Sequence, residues 1–187
     1  MIKVKVNTNK KLLPVPDVRQ STDYTCGVAS MLAILKYFKK FDGTESKLAK
    51  EMGATYDDGT SPEAIVKTAK KYGLKAEMKI NTTLDYLKQR LKEKTPVIVC
   101  YQAWTEKKNV DWEKDYSDGH YSTLIGLDDK FIYLEDPSLL DKRGIIPVDE
   151  FLSRWHDKER NGKKLEKLSI AISGPIPATN KKYEKIK

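Results

Sequence analysis

Apolar residues recur at three- and four-residue steps through the front half of the chain, which is the spacing of one helix face. The first such stretch carries no charged side chain before Lys36, so we predict that it forms a buried central helix. Another stretch opens on Ser61-Pro62-Glu63, which supplies an N-cap, a proline in the first turn and an acid near the positive helix end. The predicted helices cover about Thr25–Tyr37, Thr44–Met52 before Gly53, Ser61–Gly73, and a helix capped by Thr82 that runs to about Lys92.

The back half of the chain has a different pattern, with short apolar runs that are rich in β-branched residues and separated by polar turns. These runs predict strands, with one short helix at Val148–Trp155 between the last two of them. A helical front half followed by a largely antiparallel sheet is the α+β class. The predicted strands are Pro96–Tyr101, Tyr121–Leu127, Phe131–Glu135, Ile145–Ile146 and Leu168–Ile172.

A chain of 187 residues with 39% hydrophobic and 33% charged residues is typical of one globular domain with a charged surface. We expect that domain to cover residues 1–178, and we expect the basic tail at 179–187 to be disordered. The net charge of +8 comes mostly from scattered lysines without an arginine-rich run, so we expect no nucleic-acid partner. No apolar stretch approaches the ~20 residues of a membrane span, and no secretory signal is visible, so we expect a cytoplasmic protein.

The chain has two cysteines, Cys26 and Cys100, too few for a disulfide framework. A single bridge between them is possible and would remove a reactive thiol at Cys26. Cys100 lies in an apolar strand and is expected in the core. Neither cysteine belongs to a paired ligand spacing, so we expect no metal ion and no cofactor.

Cys26 lies where a polar loop turns into the first helix. The thiol of free cysteine has a pKa of about 8.5, and both the positive helix end and a nearby imidazolium would lower it. Gly27 would let a substrate backbone approach closely, and the Gln20 amide and the Cys26 N–H group would supply donors to an oxyanion. The alternative is a buried cysteine that packs as a small hydrophobe, beside an ordinary loop glutamine.

His120 and Asp136 lie on two strands that we predict to form a hairpin. If residues 128–130 form a three-residue loop, Leu127 lies opposite Phe131, and His120 then lies opposite Ser138. Asp136 becomes the diagonal neighbour of His120 on the same face, where its carboxylate would orient the ring. A one-residue slip would put the two side chains on opposite faces.

Two other carboxylates, Asp115 and Asp118, are alternatives to Asp136 because they are closer to the histidine in sequence. They belong to the segment Gln102–Asp118, which holds Trp104, Trp112 and Tyr116 among charged residues. This segment is either a lid over a cleft or a loop that is packed by its own aromatics.

The only other histidine, His156, follows Trp155 at a predicted helix end. It is expected at the surface or as a cap for the last carbonyl groups of that helix.

At these residues the chain resembles the double-glycine leader peptidases, the bacteriocin-processing cysteine peptidases, over about residues 14–138. The matching pieces are Val15–Gln20, Thr25–Ser30, Gly59–Ser61, Gly73-Leu74, Gly119–Tyr121 through Gly126, and Ile132–Pro137. The resemblance implies a papain-like fold, with Cys26 as nucleophile, His120 as general base, Asp136 as the residue that orients it, and Gln20 in the oxyanion hole. Measured against that family, Gln102–Asp118 looks like an insertion.

We therefore expect a papain-like cysteine peptidase that hydrolyses a peptide or isopeptide bond in a peptide or protein substrate. Gly27, Gly119 and Trp104 are expected to contact that substrate. Two alternatives are a transglutaminase-like acyl transferase, which uses the same residue order, and a catalytically silent papain-like binding module. The sequence does not determine an oligomeric state.

Overall fold

The structure is a computed structural model that describes residues 12–175. The predicted tail at 179–187 lies outside the described residues, and so do both ends of the predicted 1–178 domain. The elements in chain order are α1 (Cys26–Tyr37), α2 (Glu45–Met52), α3 (Pro62–Lys71), β1 (Lys75–Lys79), α4 (Leu84–Lys92), β2 (Val97–Gln102), β3 (Gly119–Leu127), β4 (Phe131–Glu135), β5 (Gly144–Pro147), α5 (Val148–Arg154) and β6 (Ser169–Ser173).

The six strands form one sheet in the order β1-β6-β2-β3-β4-β5, and each neighbouring pair is antiparallel. The predicted α+β class is therefore confirmed, and every predicted helix and strand is present. The prediction missed β1, a largely exposed strand with the sequence Lys-Ala-Glu-Met-Lys. It lies at the sheet edge beside β6, where polar side chains are usual and the hydrophobic pattern is weak.

Helices cover both faces of the sheet, and β2 is buried on both sides. Ile98 and Cys100 belong to the larger apolar cluster, together with the buried side of α1. Val97, Val99 and Tyr101 point the other way, into a second apolar cluster. That cluster contains Leu87 of α4, Phe151 of α5, and Trp155 directly after α5. A strand between two layers has no polar face, which is why β2 reads as an uninterrupted apolar run.

Capping residues begin the helices close to where the sequence predicts. The Ser61 side chain accepts a hydrogen bond from the Ala64 N–H group at 3.2 Å. For α4 the predicted cap is wrong by one residue, since Thr83 accepts from the Tyr86 N–H group. The Thr82 hydroxyl instead donates to the Lys167 carbonyl at 2.8 Å.

The hairpin of β3 and β4 differs from the predicted one at its turn. Leu127 lies opposite Ile132 rather than Phe131, because the turn holds one more residue. The register shifts between Leu124 and Gly126, and beyond that shift Thr123 lies opposite Glu135, as predicted. The bulge therefore cancels the error at the turn before the strands reach His120.

Backbone hydrogen bonds hold the segment before α1 against the hairpin. The Leu13 N–H group donates to the Ile125 carbonyl at 2.8 Å, and the Gln20 N–H group donates to the Pro137 carbonyl at 2.9 Å. The buried Ser30 hydroxyl of α1 donates to the Tyr121 carbonyl at 3.2 Å. These contacts bring the start of α1 and the end of β4 to the same side of β3. Within the described part of the chain, no helix is both long and apolar enough to cross a membrane.

Candidate active site

Cys26 is the first residue of α1, at the helix end where backbone N–H groups have no partner within the helix. Thr25 precedes it but makes no side-chain cap, because its hydroxyl is engaged with Thr22. The first turn also contains no acidic side chain. The partial positive charge of the helix end is therefore not compensated locally, and it favours an anion beside the Cys26 sulfur.

His120 lies in β3 with its Nε2 atom 2.9 Å from Asp136 Oδ1, and both side chains are buried. Burial acts to lower the pKa of His120, but the hydrogen bond with Asp136 and the interaction with the nearby Cys26 sulfur outweigh it and raise the pKa to about 9. Because Nε2 faces the carboxylate, Nδ1 is the ring nitrogen left for the sulfur. The structure thus brings together the cysteine, histidine and aspartate that the sequence singled out.

Asp136 receives donors on both carboxylate oxygens. Oδ1 also accepts from the Ser138 N–H group at 2.8 Å. Oδ2 accepts from the Tyr101 hydroxyl at 3.1 Å and from the Trp104 indole N–H at 3.3 Å. Burial acts to raise the pKa of Asp136, yet His120 and the other donors lower it overall, so the carboxylate stays ionised.

Tyr101 is a site residue that sequence reasoning missed. It lies opposite His120 in the β2–β3 register, and the two ring centroids are 5.8 Å apart. A pairing of β2 with β3, had it been drawn from the sequence, would have placed Tyr101 beside the histidine. Its hydroxyl also lies 3.0 Å from Ser122 Oγ, so the tyrosine is bonded on two sides.

The long segment between β2 and β3 is packed largely by its own aromatic side chains. Trp112 lies under the guanidinium of Arg154 at 3.6 Å, and the Tyr116 ring lies 4.4 Å from that of His156. His156 is buried, so it is not at the surface, but its Nε2 atom lies 3.1 Å from the Ser153 carbonyl oxygen in the last turn of α5, as the capping alternative predicts. The same atom lies 2.7 Å from the Trp112 carbonyl oxygen. The side chain of Trp104 stays 56% exposed, and its expected contact with substrate stays a prediction.

The alternative carboxylates Asp115 and Asp118 lie away from the histidine ring. Both pair with Lys107, at 2.8 Å and 3.4 Å. The hydrogen bonds with Lys107 and Ser117 also lower the pKa of Asp115. Of the three carboxylates considered for the site, Asp136 is the one that contacts His120.

Gln20 lies beside the turn that follows Asp136. Its Nε2 atom donates to the Thr22 carbonyl at 2.9 Å, and its Oε1 atom accepts from the Ser138 hydroxyl at 3.4 Å. A glutamine amide has two N–H groups, so one remains for another acceptor.

A cleft of about 860 Å³ opens beside Cys26, and Gly27 and Gly119 have neighbours that a side chain would strike. A Cβ atom on Gly27 would lie 2.8 Å from the Thr60 Cβ atom, so this glycine allows the loop before α3 to pack on α1. A Cβ atom on Gly119 would overlap the carboxylate of Asp157. Direct contact of either glycine with substrate stays a prediction.

Cys100 is a core residue, as predicted, and both cysteines are free. Its thiol donates to Asp157 Oδ2 at 3.3 Å. Burial, together with that carboxylate, raises the pKa of the Cys100 thiol well above its usual value. Among residues 12–175, no group of three or more His, Cys, Asp or Glu side chains could hold a metal ion.

Three solved structures similar to this chain are peptidases or peptidase domains. A putative C39-like peptidase from Bacillus anthracis has a TM-score of 0.66 at 20% identity, covering 90% of this chain and 100% of that one. The peptidase domain of Streptococcus ComA has a TM-score of 0.61 at 20% identity, covering 84% and 97%. A double glycine motif protease from an AMS/PCAT transporter, solved with a leader peptide, has a TM-score of 0.58 at 21% identity, covering 88% and 94%.

These likenesses establish the C39 papain-like fold. No curated protein sequence matches the chain. The model of the Peptidase_C39 like family, a family of cysteine peptidases, matches residues 12–162. Because this family model matches most of the chain and the fold agrees, the chain belongs to the Peptidase_C39 like family.

Proposed function

We propose that this chain is an active cysteine peptidase that hydrolyses a peptide or isopeptide bond through Cys26, His120 and Asp136. The observation that supports this most directly is the buried His120 ring, which is hydrogen-bonded to Asp136 and lies close enough to the Cys26 sulfur for that sulfur to raise its pKa. This arrangement favours transfer of the thiol proton to the ring, since the imidazolium is stabilised by the ionised carboxylate.

The proposed reaction begins when the Cys26 proton moves to His120 Nδ1 and the thiolate attacks the substrate carbonyl carbon. The resulting oxyanion accepts hydrogen bonds from the Cys26 N–H group and from the free N–H of Gln20. His120 then gives its proton to the amine as the C–N bond breaks, leaving a thioester on Cys26. Water, deprotonated by His120, hydrolyses the thioester, and the acid product leaves with the thiol restored.

The proposed substrate is a peptide or protein, and the first sequence to test is one that ends its leader in two glycines. The support is the AMS/PCAT relative, whose structure contains a leader peptide. A small residue before the cut would fit a cleft whose wall beside His120 is a glycine. Cleavage sites mapped by mass spectrometry on a peptide library would decide this point.

A peptide vinyl sulfone tests the chemistry, because it reacts with an activated thiolate. We expect one adduct on Cys26, none on Cys100, and loss of labelling near neutral pH in His120→Ala. His156→Gln is the matched control, as it removes the only other imidazole, and it should label like the parent chain. Equal labelling of both cysteines, or labelling that ignores His120, would favour a silent binding module.

Product analysis separates the hydrolase from the transferase alternative. A peptide substrate incubated with excess alkyl amine should yield the free carboxylic acid. Predominant formation of the amide instead would indicate that the thioester is resolved by amines, as in a transglutaminase-like enzyme.

A further inference from the structure

The cleft beside Cys26 has the opposite charge balance from the rest of the chain. The whole sequence carries a net charge of +8. The cleft is nevertheless lined by five carboxylate residues and only two cationic ones. The carboxylates are Asp23, Asp57, Asp58, Asp157 and Glu159, and the cations are Lys158 and Arg160.

Pairing reduces this imbalance but leaves the carboxylates in excess. Glu159 pairs with Lys163, which lies outside the lining, at 3.5 Å. Arg160 lies 3.9 Å from Asp57 and 3.7 Å from Asp58, so one guanidinium is shared between two carboxylates. Lys158 lies over the Tyr116 ring, 5.5 Å from its centroid, rather than beside a carboxylate of the rim. The exposed rim charges are screened by salt and act mainly by attracting a cation toward the cleft.

Asp157 differs from the exposed carboxylates of the rim because its side chain is partly buried. Its oxygens accept from two neutral groups on β2, the Cys100 thiol at 3.3 Å and the Gln102 amide at 3.1 Å. A backbone hydrogen bond with Lys158 and the nearby His156 ring also act on this carboxylate, and both lower its pKa. Among residues 12–175 no lysine or arginine forms an ion pair with it, and burial raises the pKa of Asp157. A partly desolvated carboxylate without a counter-charge gains more from an incoming cation than an exposed one does.

Thr60 supplies a second, independent sign that a ligand belongs in this cleft. Its side chain lines the cleft next to Gly27 and is only 5% exposed. Its Oγ1 atom is buried and has no hydrogen-bond partner among the described residues. Buried hydroxyls are normally bonded, so an unpartnered one on the wall of a cleft fits a group that arrives with the substrate.

We propose that the cleft selects peptides with a lysine or arginine side chain that pairs with Asp157, while the Thr60 hydroxyl bonds the peptide backbone. This selection rests on the proposed function only in taking the cleft beside Cys26 as the substrate cleft. It assigns Asp157 as a specificity-determining residue, separate from the groups that carry out the bond cleavage.

Matched probes test this selection. Six dipeptide vinyl sulfones carry lysine, norleucine or glutamate at either the first or the second position. At each position the three probes differ only in that residue, and they are compared by their second-order rate constants for reaction with Cys26. We expect the lysine probe to react roughly tenfold faster than the norleucine probe at its preferred position, as one charge-assisted hydrogen bond would give. The glutamate probe should be the slowest.

Variants distinguish the effect of Asp157 on these rates from the effect of negative charge elsewhere on the protein. Asp157→Asn should bring the lysine-to-norleucine ratio close to one, while Asp129→Asn, which removes an exposed charge on the β3–β4 turn, should leave the ratio unchanged. Asp58→Asn should reduce the ratio partly and only at low salt. A thermal melt shows whether Asp157→Asn folds. Asp58 is exposed, so Asp58→Asn is expected to fold and tests the effect of charge if Asp157→Asn does not.

Equal rates for the three probes in the parent chain, or a ratio that survives Asp157→Asn, would overturn the proposal. Failure of Cys26 to react with every probe would contradict the proposed peptidase chemistry instead. Charge selection would then be tested by binding. Fluorescent peptide amides with the same lysine, norleucine and glutamate sequences would be titrated with Cys26→Ser, and their dissociation constants compared. Equal affinities in that measurement would overturn it as well.

Discussion

At the scale of single residues, the side chain of Asp136 determines what the histidine can do. Its carboxylate is buried beside His120 and bonded by Tyr101, Trp104 and the backbone of Ser138. Those neutral donors hold it as an anion, and the anion holds the imidazole in its charged form and in one orientation. A change at Asp136 should therefore appear in the proton affinity of His120 before it appears in the fold.

Asp136→Asn should move the alkaline limit of activity downward. In the proposed mechanism the reactive form needs a proton on His120, and that proton is lost as the pH rises through about 9. Without the anion the pKa of His120 should fall toward the ordinary histidine value of 6.5, so the rate of Cys26 labelling should decline at lower pH than in the parent. A pH profile of the labelling rate measures this, and an unchanged alkaline limb would contradict it.

Thr60→Val should weaken substrate binding without lowering the stability of the fold. Valine has nearly the same shape, and it removes a buried hydroxyl that has no partner, so stability should stay equal or rise by about 1 kcal/mol. If the hydroxyl bonds the substrate, KM should rise several-fold with kcat little changed. Urea titration and steady-state kinetics provide the two readouts; a loss of stability would mean that the hydroxyl is satisfied in the folded chain.

At the scale of elements, the contact between α1 and the loop before α3 shapes the floor of the cleft. Gly27 is the residue that allows it, since Thr60 and Tyr121 occupy the space where a side chain would lie. A glycine in a helix normally costs ~1 kcal/mol relative to alanine. At this position the general preference of helices for alanine over glycine is opposed by the close contact with Thr60.

Gly27→Ala should destabilise the chain in spite of alanine's higher helix propensity. The added methyl would lie 2.8 Å from the Thr60 Cβ atom, which belongs to a packed wall and has no freedom to swing away. We expect a net loss of ~1–3 kcal/mol, the usual range for overpacking, together with slower labelling of Cys26. Gain of stability by thermal or urea unfolding would show that the loop yields easily.

The elements that the sequence predicts well are those with a strong local pattern. Cys26 at a helix start is visible in the apolar run that follows it, and hairpin counting brings His120 to Asp136. The bulge was not predicted, although an isolated Gly126 inside a strand is a known sign of one. Asp157 could not be predicted, because it reaches the cleft from a loop after α5 and only the three-dimensional fold brings it there.

At the scale of the whole molecule, one sheet joins the two apolar clusters, since β2 contributes alternate side chains to both. The helix that carries Cys26 and the strand that carries His120 are thus parts of one packing arrangement. Neither half of the site can be exposed without disturbing the other, so we expect a single unfolding transition.

Cys100 offers a probe of that transition, since its side chain is fully buried in β2. In a denaturant series, reaction of Cys100 in Cys26→Ser with a neutral thiol reagent should follow the loss of far-UV circular dichroism at the same midpoint. Reaction at clearly lower denaturant would reveal that the sheet opens before the helices unfold, and cooperativity would then be lower than the shared strand implies.

The bulge in β3 offsets the extra residue of the turn, so His120 and Asp136 still lie side by side. His120 lies near one end of β3, and the Asp128–Lys130 turn lies beyond the other end, about 25 Å away for a strand of nine residues. The distant loop is therefore a suitable place to attach a fluorophore, an affinity handle or a surface tether. A chain immobilised there would present its cleft outward, ready for screening against immobilised or free peptide collections.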